Sequence, residues 1–150
     1  MNFDFSDDEN RLFENVRAIA AAAPAEEALA GQSASPLALP LSLGPDGILR
    51  SDWRGLVEAM METSPSVSER AALFHSTLAG VLVQQALAVR ETRRFDYVGL
   101  CGGVFQNRCL SEACAAGLQQ QGIEVRLCER LPCNDAGLSF GQVIEYAFSG

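Results

Sequence analysis

The segment from Tyr97 to Leu127 constrains the fold more than any other part of the chain. Tyr97-Val98-Gly99-Leu100-Cys101 reads as a short buried strand and Gly102-Gly103 interrupts it; a helix is expected from about Asn107 to Gln121, with Gly122 at its C′ position. Ile123, Val125 and Leu127 then alternate as a second strand. Two strands joined through one helix lie parallel, with a right-handed crossover. The expected fold class is therefore α/β, built on a βαβ unit.

The flanking segments fit around that unit. Residues 7 to 30 are rich in Ala and Glu, with Leu12, Val16 and Ile19 at helical spacing and acidic residues at the start, so a helix is expected there, ending near Ala22. The small and polar stretch 31–36 reads as a linker, which sets boundaries at 1–36 for an N-terminal helical extension and 37–150 for the α/β domain. Leu37 to Leu43 alternates, Gly44-Pro45-Asp46-Gly47 is a turn signal, and Ile48-Leu49-Arg50 completes a hairpin whose first strand Pro40 confines to an edge. Ser51 or Asp52 can cap a helix carrying Trp53, Leu56, Val57 and Met60 on one side, with Trp53 as a core anchor. The longest helix is expected from Ser66 to about Arg90, with Val67, Ala71, Phe74, Leu78, Val81, Leu82 and Gln85 on one stripe. A last helix, from about Asp135 to Phe148, closes the chain.

Composition removes several function classes. With 150 residues, 48% of them hydrophobic and 20% charged, the chain suits one soluble domain with a single core. A net charge of −8 lacks the basic footprint that nucleic-acid binding needs. The longest unbroken apolar runs, Ala18 to Ala23 and Ala79 to Val83, fall short of the roughly 18 residues that cross a bilayer, and Met1-Asn2-Phe3-Asp4 opens unlike a signal peptide. No membrane association and a cytoplasmic address are expected. Five cysteines, at 101, 109, 114, 128 and 133, match neither a CxxC pair nor a secreted framework, and most of them read as reduced thiols. Cys101 and Cys128, in strand-like runs, are expected to pack as small hydrophobes.

Ligands of open α/β sheets bind beyond the C-terminal ends of the strands. Two segments fall there. Gly102-Gly103-Val104-Phe105-Gln106-Asn107 leaves backbone N–H groups at a helix N-terminus, which favours a phosphate, and it is equally the pattern of a plain tight turn. Pro132-Cys133-Asn134-Asp135-Ala136-Gly137 offers Asn134 or Asp135 as a helix cap, or Asp135 as an oxygen ligand for a cation that neutralises phosphate charge. His75, the only histidine, falls within the apolar arc of the long helix and reads as a hydrogen-bonded core imidazole rather than a catalytic base.

Taken together, Phe74-His75, Gly102-Gly103-Val104-Phe105-Gln106-Asn107-Arg108, Leu131-Pro132-Cys133-Asn134-Asp135-Ala136-Gly137-Leu138 and Gly141-Gln142 resemble the C-terminal end of the HypF carbamoyltransferases, the hydrogenase maturation factors. Ile48-Leu49-Arg50-Ser51-Asp52-Trp53 is similar too, so the resemblance covers about residues 37 to 148. It implies a βαβ-containing half of an actin and Hsp70-like (ribonuclease H-like) ATPase fold, shared with the enzymes that make threonylcarbamoyl-adenosine in tRNA. It also implies transfer of a carbamoyl group from carbamoyl-adenylate to the C-terminal cysteine of a HypE-type partner, on the way to the cyanide ligands of [NiFe]-hydrogenase iron. By the same resemblance Gly102, Gly103 and Asn107 touch the nucleotide, ATP or carbamoyl-adenylate, and Asp135 holds a divalent metal beside it.

The family's metal site takes two further histidines, and these 150 residues contain only His75. The expectation is thus a nucleotide half-site, completed by a complementing chain or by a homodimer. Such a dimer would be held by apolar surface, from Leu12, Val16 and Ile19 or from the sheet edge. The alternatives are a binding or scaffold protein derived from that domain, in which Gly102-Gly103 is only a turn and Asp135 only a cap, and an inert remnant.

Overall fold

The computed structural model describes residues 35–148. The helix expected to end near Ala22 and most of the 31–36 break lie outside the described residues. The chain divides into two compact units, Met1–Gln85 and Ala86–Gly150.

In the first unit, β1 (Leu41–Leu43) pairs antiparallel with β2 (Leu49–Ser51), with Leu41 opposite Ser51 and Leu43 opposite Leu49. The turn between them closes through Gly47 N–H on the Gly44 carbonyl at 2.9 Å, and Gly47 takes φ 75°, where a side chain is strained. The hairpin is therefore as expected, although its first strand begins only after Pro40, which has no N–H to give a ladder. Helix α1 (Arg54–Met61) follows, with Asp52 Oδ1 accepting the Arg54 N–H at 3.1 Å. Leu56 and Met60 are buried, but Trp53 is 40% exposed. Trp53 thus corrects the expectation of a core anchor: it stands at the N-cap of α1, ahead of the face that Leu56 and Met60 bury.

Helix α2 (Val67–Thr92) opens on a reciprocal cap, in which the Ser66 N–H reaches Glu69 Oε2 at 2.8 Å and the Glu69 N–H returns to Ser66 Oγ at 3.2 Å. Leu39, Leu56, Met60, Ala71 and Val81 form the core, with Leu37, Leu73 and Phe74 against it. Thr77 is fully buried, and its Oγ1 accepts the Leu37 N–H at 3.0 Å. The expected stripe is right for Ala71 and Val81, whereas Leu78 and Leu82 are only half-buried and the smaller Thr77 and Ala79 are buried instead. Averaged over 18 residues α2 reaches a mean hydropathy of 1.4, so it is long and apolar enough to cross a bilayer, a property that a search for unbroken runs passes over. Its Ala71 and Val81 are nevertheless part of the core.

Two exposed ion pairs brace the hairpin and the start of α1. The Arg50 guanidinium, 2.6 Å from Asp46, and the Ile48 N–H hold the Asp46 carboxyl down at about 2; Arg54, 2.5 Å from Asp52, does the same to Asp52. A folded pKa below the ordinary 3.8 means the contribution is complete above that value and is lost as pH falls through about 2. The stability advantage of the native chain over Asp46→Asn should accordingly shrink between these limits and in high salt, read from the fluorescence of Trp53, the only tryptophan. An advantage that persists below pH 2 contradicts this.

In the second unit, β3 (Tyr97–Leu100) and β4 (Glu124–Leu127) pair in parallel, with Tyr97 opposite Glu124 and Leu100 opposite Leu127. Helix α3 (Arg108–Gln120) connects them and packs on β4, which is the expected βαβ unit. Leu110, Cys114 and Leu118, four residues apart, are all 0–1% exposed. Gly122 at φ 69° ends the helix, and Ile123 is buried directly after it. The last helix, α4 (Leu138–Phe148), is preceded by a single 3₁₀ turn, Asp135–Gly137, and buries none of its side chains.

Candidate functional site: two loops at one sheet edge

Because β3 and β4 are parallel and adjacent, the loops that leave them emerge at the same edge. The first begins with Gly102 at φ 112°, ψ 154°, a backbone region essentially closed to residues with a Cβ. Its N–H donates to the Cys133 carbonyl of the second loop at 2.5 Å. A Cβ on Gly103 would lie 3.8 Å from that of Asn134, an ordinary contact. The two glycine-bearing and Asx-bearing segments therefore meet, as the sequence reading required.

Each loop is fixed by its own polar groups. After a 3₁₀ turn over Gly103–Gln106, Asn107 caps α3, its Oδ1 accepting the Leu110 N–H at 3.0 Å. Buried Ser111 sits within hydrogen-bond reach of two carbonyl oxygens, Phe105 at 2.7 Å and Asn107 at 3.0 Å, and ties the loop to the first turn of the helix. In the second loop Asn134 Oδ1 accepts the Ala136 N–H at 3.1 Å. Asn134, not Asp135, is the cap, which resolves the pair of options the sequence left open and leaves Asp135 exposed. Gly137 lies so close to the Pro132 carbonyl that a Cβ there would stand 2.9 Å from its oxygen, so the tight turn demands glycine.

Between and beyond these loops lies an open cleft of about 620 Å³, lined among others by Gly102, Asp135 and, from α4, Gln142 and Glu145. Of the residues singled out from sequence, Gly102 and Asp135 line it, while Gly103 and Asn107 stand behind in the loop and at the helix start. Glu145 was missed; a lone acid on a helix of mixed pattern carries no signal. Cys101, Cys128 and Cys133 also line this cleft. Here the sequence reading needs correction: the strands stop at Leu100 and Leu127, so Cys101 and Cys128 fall just past their ends and are exposed rather than packed. Cys114 is the buried thiol, and burial pushes it up to about 11. None of the five cysteines is in a disulfide.

His75, in the first unit, shares a 2.8 Å hydrogen bond between its Nδ1 and the Ala71 carbonyl and sets its ring edge-on to Phe74. That is the core role expected of it. Among the described residues no three His, Cys, Asp or Glu side chains converge as a metal site. Asp135 fits a narrower part, since a magnesium ion that arrives with phosphates needs only one or two protein carboxylates.

An α/β unit with an open cleft beyond the C-terminal ends of parallel strands has the layout in which open α/β sheets take small ligands. Residues 11–142 match the family described as carbamoyltransferase, Kae1-like domain, second subdomain, and the chain belongs to that family. The match takes in residues 11–36, where no motif was legible. A carbamoyltransferase HypF homolog of Cupriavidus necator is 38% identical over 136 residues, 84% of this chain and 34% of that protein. A tRNA N6-adenosine threonylcarbamoyltransferase of Prochlorococcus marinus is 33% identical over 95 residues, 62% of this chain and 27% of that one. Full-length HypF, crystallised in a phosphate- and nucleotide-bound form, superposes with a TM-score of 0.67 at 29% identity, covering 79% of this chain and 16% of that chain. The chain thus spans about a third or less of the length of these relatives.

Proposed function

We propose that this chain carries half of a carbamoyltransferase nucleotide site of the HypF type, serving [NiFe]-hydrogenase maturation in the cytoplasm. The observation that carries the reading is the junction of the Gly102 and Asn134-Asp135 loops over one cleft, in a family with a nucleotide-bound solved member. The ligand is ATP or carbamoyl-adenylate, and its phosphates approach the loop that Gly102 opens, ahead of the 3₁₀ turn that leads into α3. Two carboxylates, Asp135 and Glu145, line the cleft, so phosphate charge brought there adds to theirs and calls for a divalent cation. Asp135 holds that cation together with ligands from outside these 150 residues. In the proposed reaction the C-terminal thiolate of a HypE-type partner forms a bond to the carbamoyl carbon while the bond to the adenylate oxygen breaks, releasing AMP.

The face available to a complementing chain is α4, where Leu138, Val143, Tyr146 and Phe148 are all more than 60% exposed. The same face supports the second reading, a non-catalytic scaffold. Asp135→Asn separates the two. Because Asn134 rather than Asp135 does the capping, the variant should keep its stability within about 0.5 kcal/mol and lose at least about tenfold in affinity for magnesium–ATP by calorimetry. Unchanged affinity would leave the scaffold reading standing.

A further inference from the structure

We propose that Cys101 and Cys128 form a redox-convertible thiol pair that closes to a disulfide across the β3–β4 edge. The parallel register ends with Leu100 opposite Leu127, and the residue directly after each strand is a cysteine. Paired strands run about 4.8 Å apart, inside the roughly 4.4–6.8 Å Cα separation that a disulfide spans. Cys101 and Cys128 both line one cleft. Both are exposed, so a small disulfide can reach them.

With oxidised glutathione as the oxidant, one of the two thiolates attacks its S–S bond, forming a mixed disulfide and releasing one glutathione thiolate. The second cysteine thiolate then attacks the protein sulfur of that mixed disulfide and expels the other glutathione. Two protein thiols are oxidised, one glutathione disulfide is reduced to two thiols, and the protons go to the departing glutathiones. The bond joins the two strand ends beside Gly102 and does not depend on what the cleft holds.

The chain has Arg and no Lys, so trypsin places Cys101 in peptide 95–108, Cys128 in 127–130 and Cys133 in 131–150. After treatment of the dilute full chain with oxidised glutathione, the expected species is peptide 95–108 joined to 127–130, with two hydrogens lost and a dithiol reductant restoring them. Cys133→Ser should retain the link and Cys128→Ser should abolish it, with Cys114 staying reduced in every case. Glutathione adducts without a link, a link through Cys133, or links only between chains would each overturn the proposal.

Discussion

Leu118→Ala should lower the stability of the second unit by about 2–5 kcal/mol, the largest single-residue effect expected in the chain. Leu118 is 1% exposed on the same face of α3 as Leu110 and Cys114, so the truncation leaves a cavity at the centre of the βαβ unit. Trp53 lies in the other unit, so the readout is taken from within the second. Cys114 does, because its buried thiol, raised to about 11, can be alkylated only when α3 opens. The variant should speed alkylation of Cys114 by at least about 30-fold, the lower limit of that free-energy range, read by mass spectrometry. A change of less than about threefold, under 1 kcal/mol, would mean that α3 is not the keystone of this unit.

Gly102→Ala is the second large effect. At φ 112° and ψ 154° a Cβ costs on the order of 1–3 kcal/mol, and the strained residue also carries the N–H that holds the Cys133 carbonyl. Relaxation of the loop therefore separates the two segments, and both stability and ligand affinity should fall. Gly103→Ala is the matched control: its Cβ meets only Asn134 at 3.8 Å, and the loss of unfolded-state freedom leaves stability unchanged or raised by about 0.4–1 kcal/mol. Urea titration of both variants followed by circular dichroism checks the contrast. Equal losses at the two glycines would remove the special role of Gly102.

The βαβ unit and hairpin were legible because their signals are local. Alternation in Ile123, Val125 and Leu127, a glycine at a helix end and a turn between two short strands are each set by backbone geometry within a few residues. The meeting of the two loops was also legible, since parallel neighbours bring their C-terminal loops together whatever the side chains. What escaped depended on where elements stop and on what they face. Cys101 and Cys128 sit one residue past their strands, which turns a packed thiol into an exposed one. Trp53 has the volume of a core anchor but stands at the N-cap of α1, ahead of the buried face. The division of labour between Asn134 and Asp135 needed the Ala136 N–H to be placed. α4 buries no side chain of its own, so no internal core fixed its pattern in advance.

The central claim is that the cleft beside Gly102 and Asp135 binds a nucleotide. Its most direct test is calorimetric titration of magnesium–ATP into the full chain, alone and together with a separately produced first subdomain of a HypF relative. Saturable binding that tightens with the second chain, and that vanishes on chelation of magnesium or in Gly102→Ala, is the predicted result. No saturable heat under either condition, from a chain whose α3 still protects Cys114, would contradict the account and leave the two loops as a structural junction only.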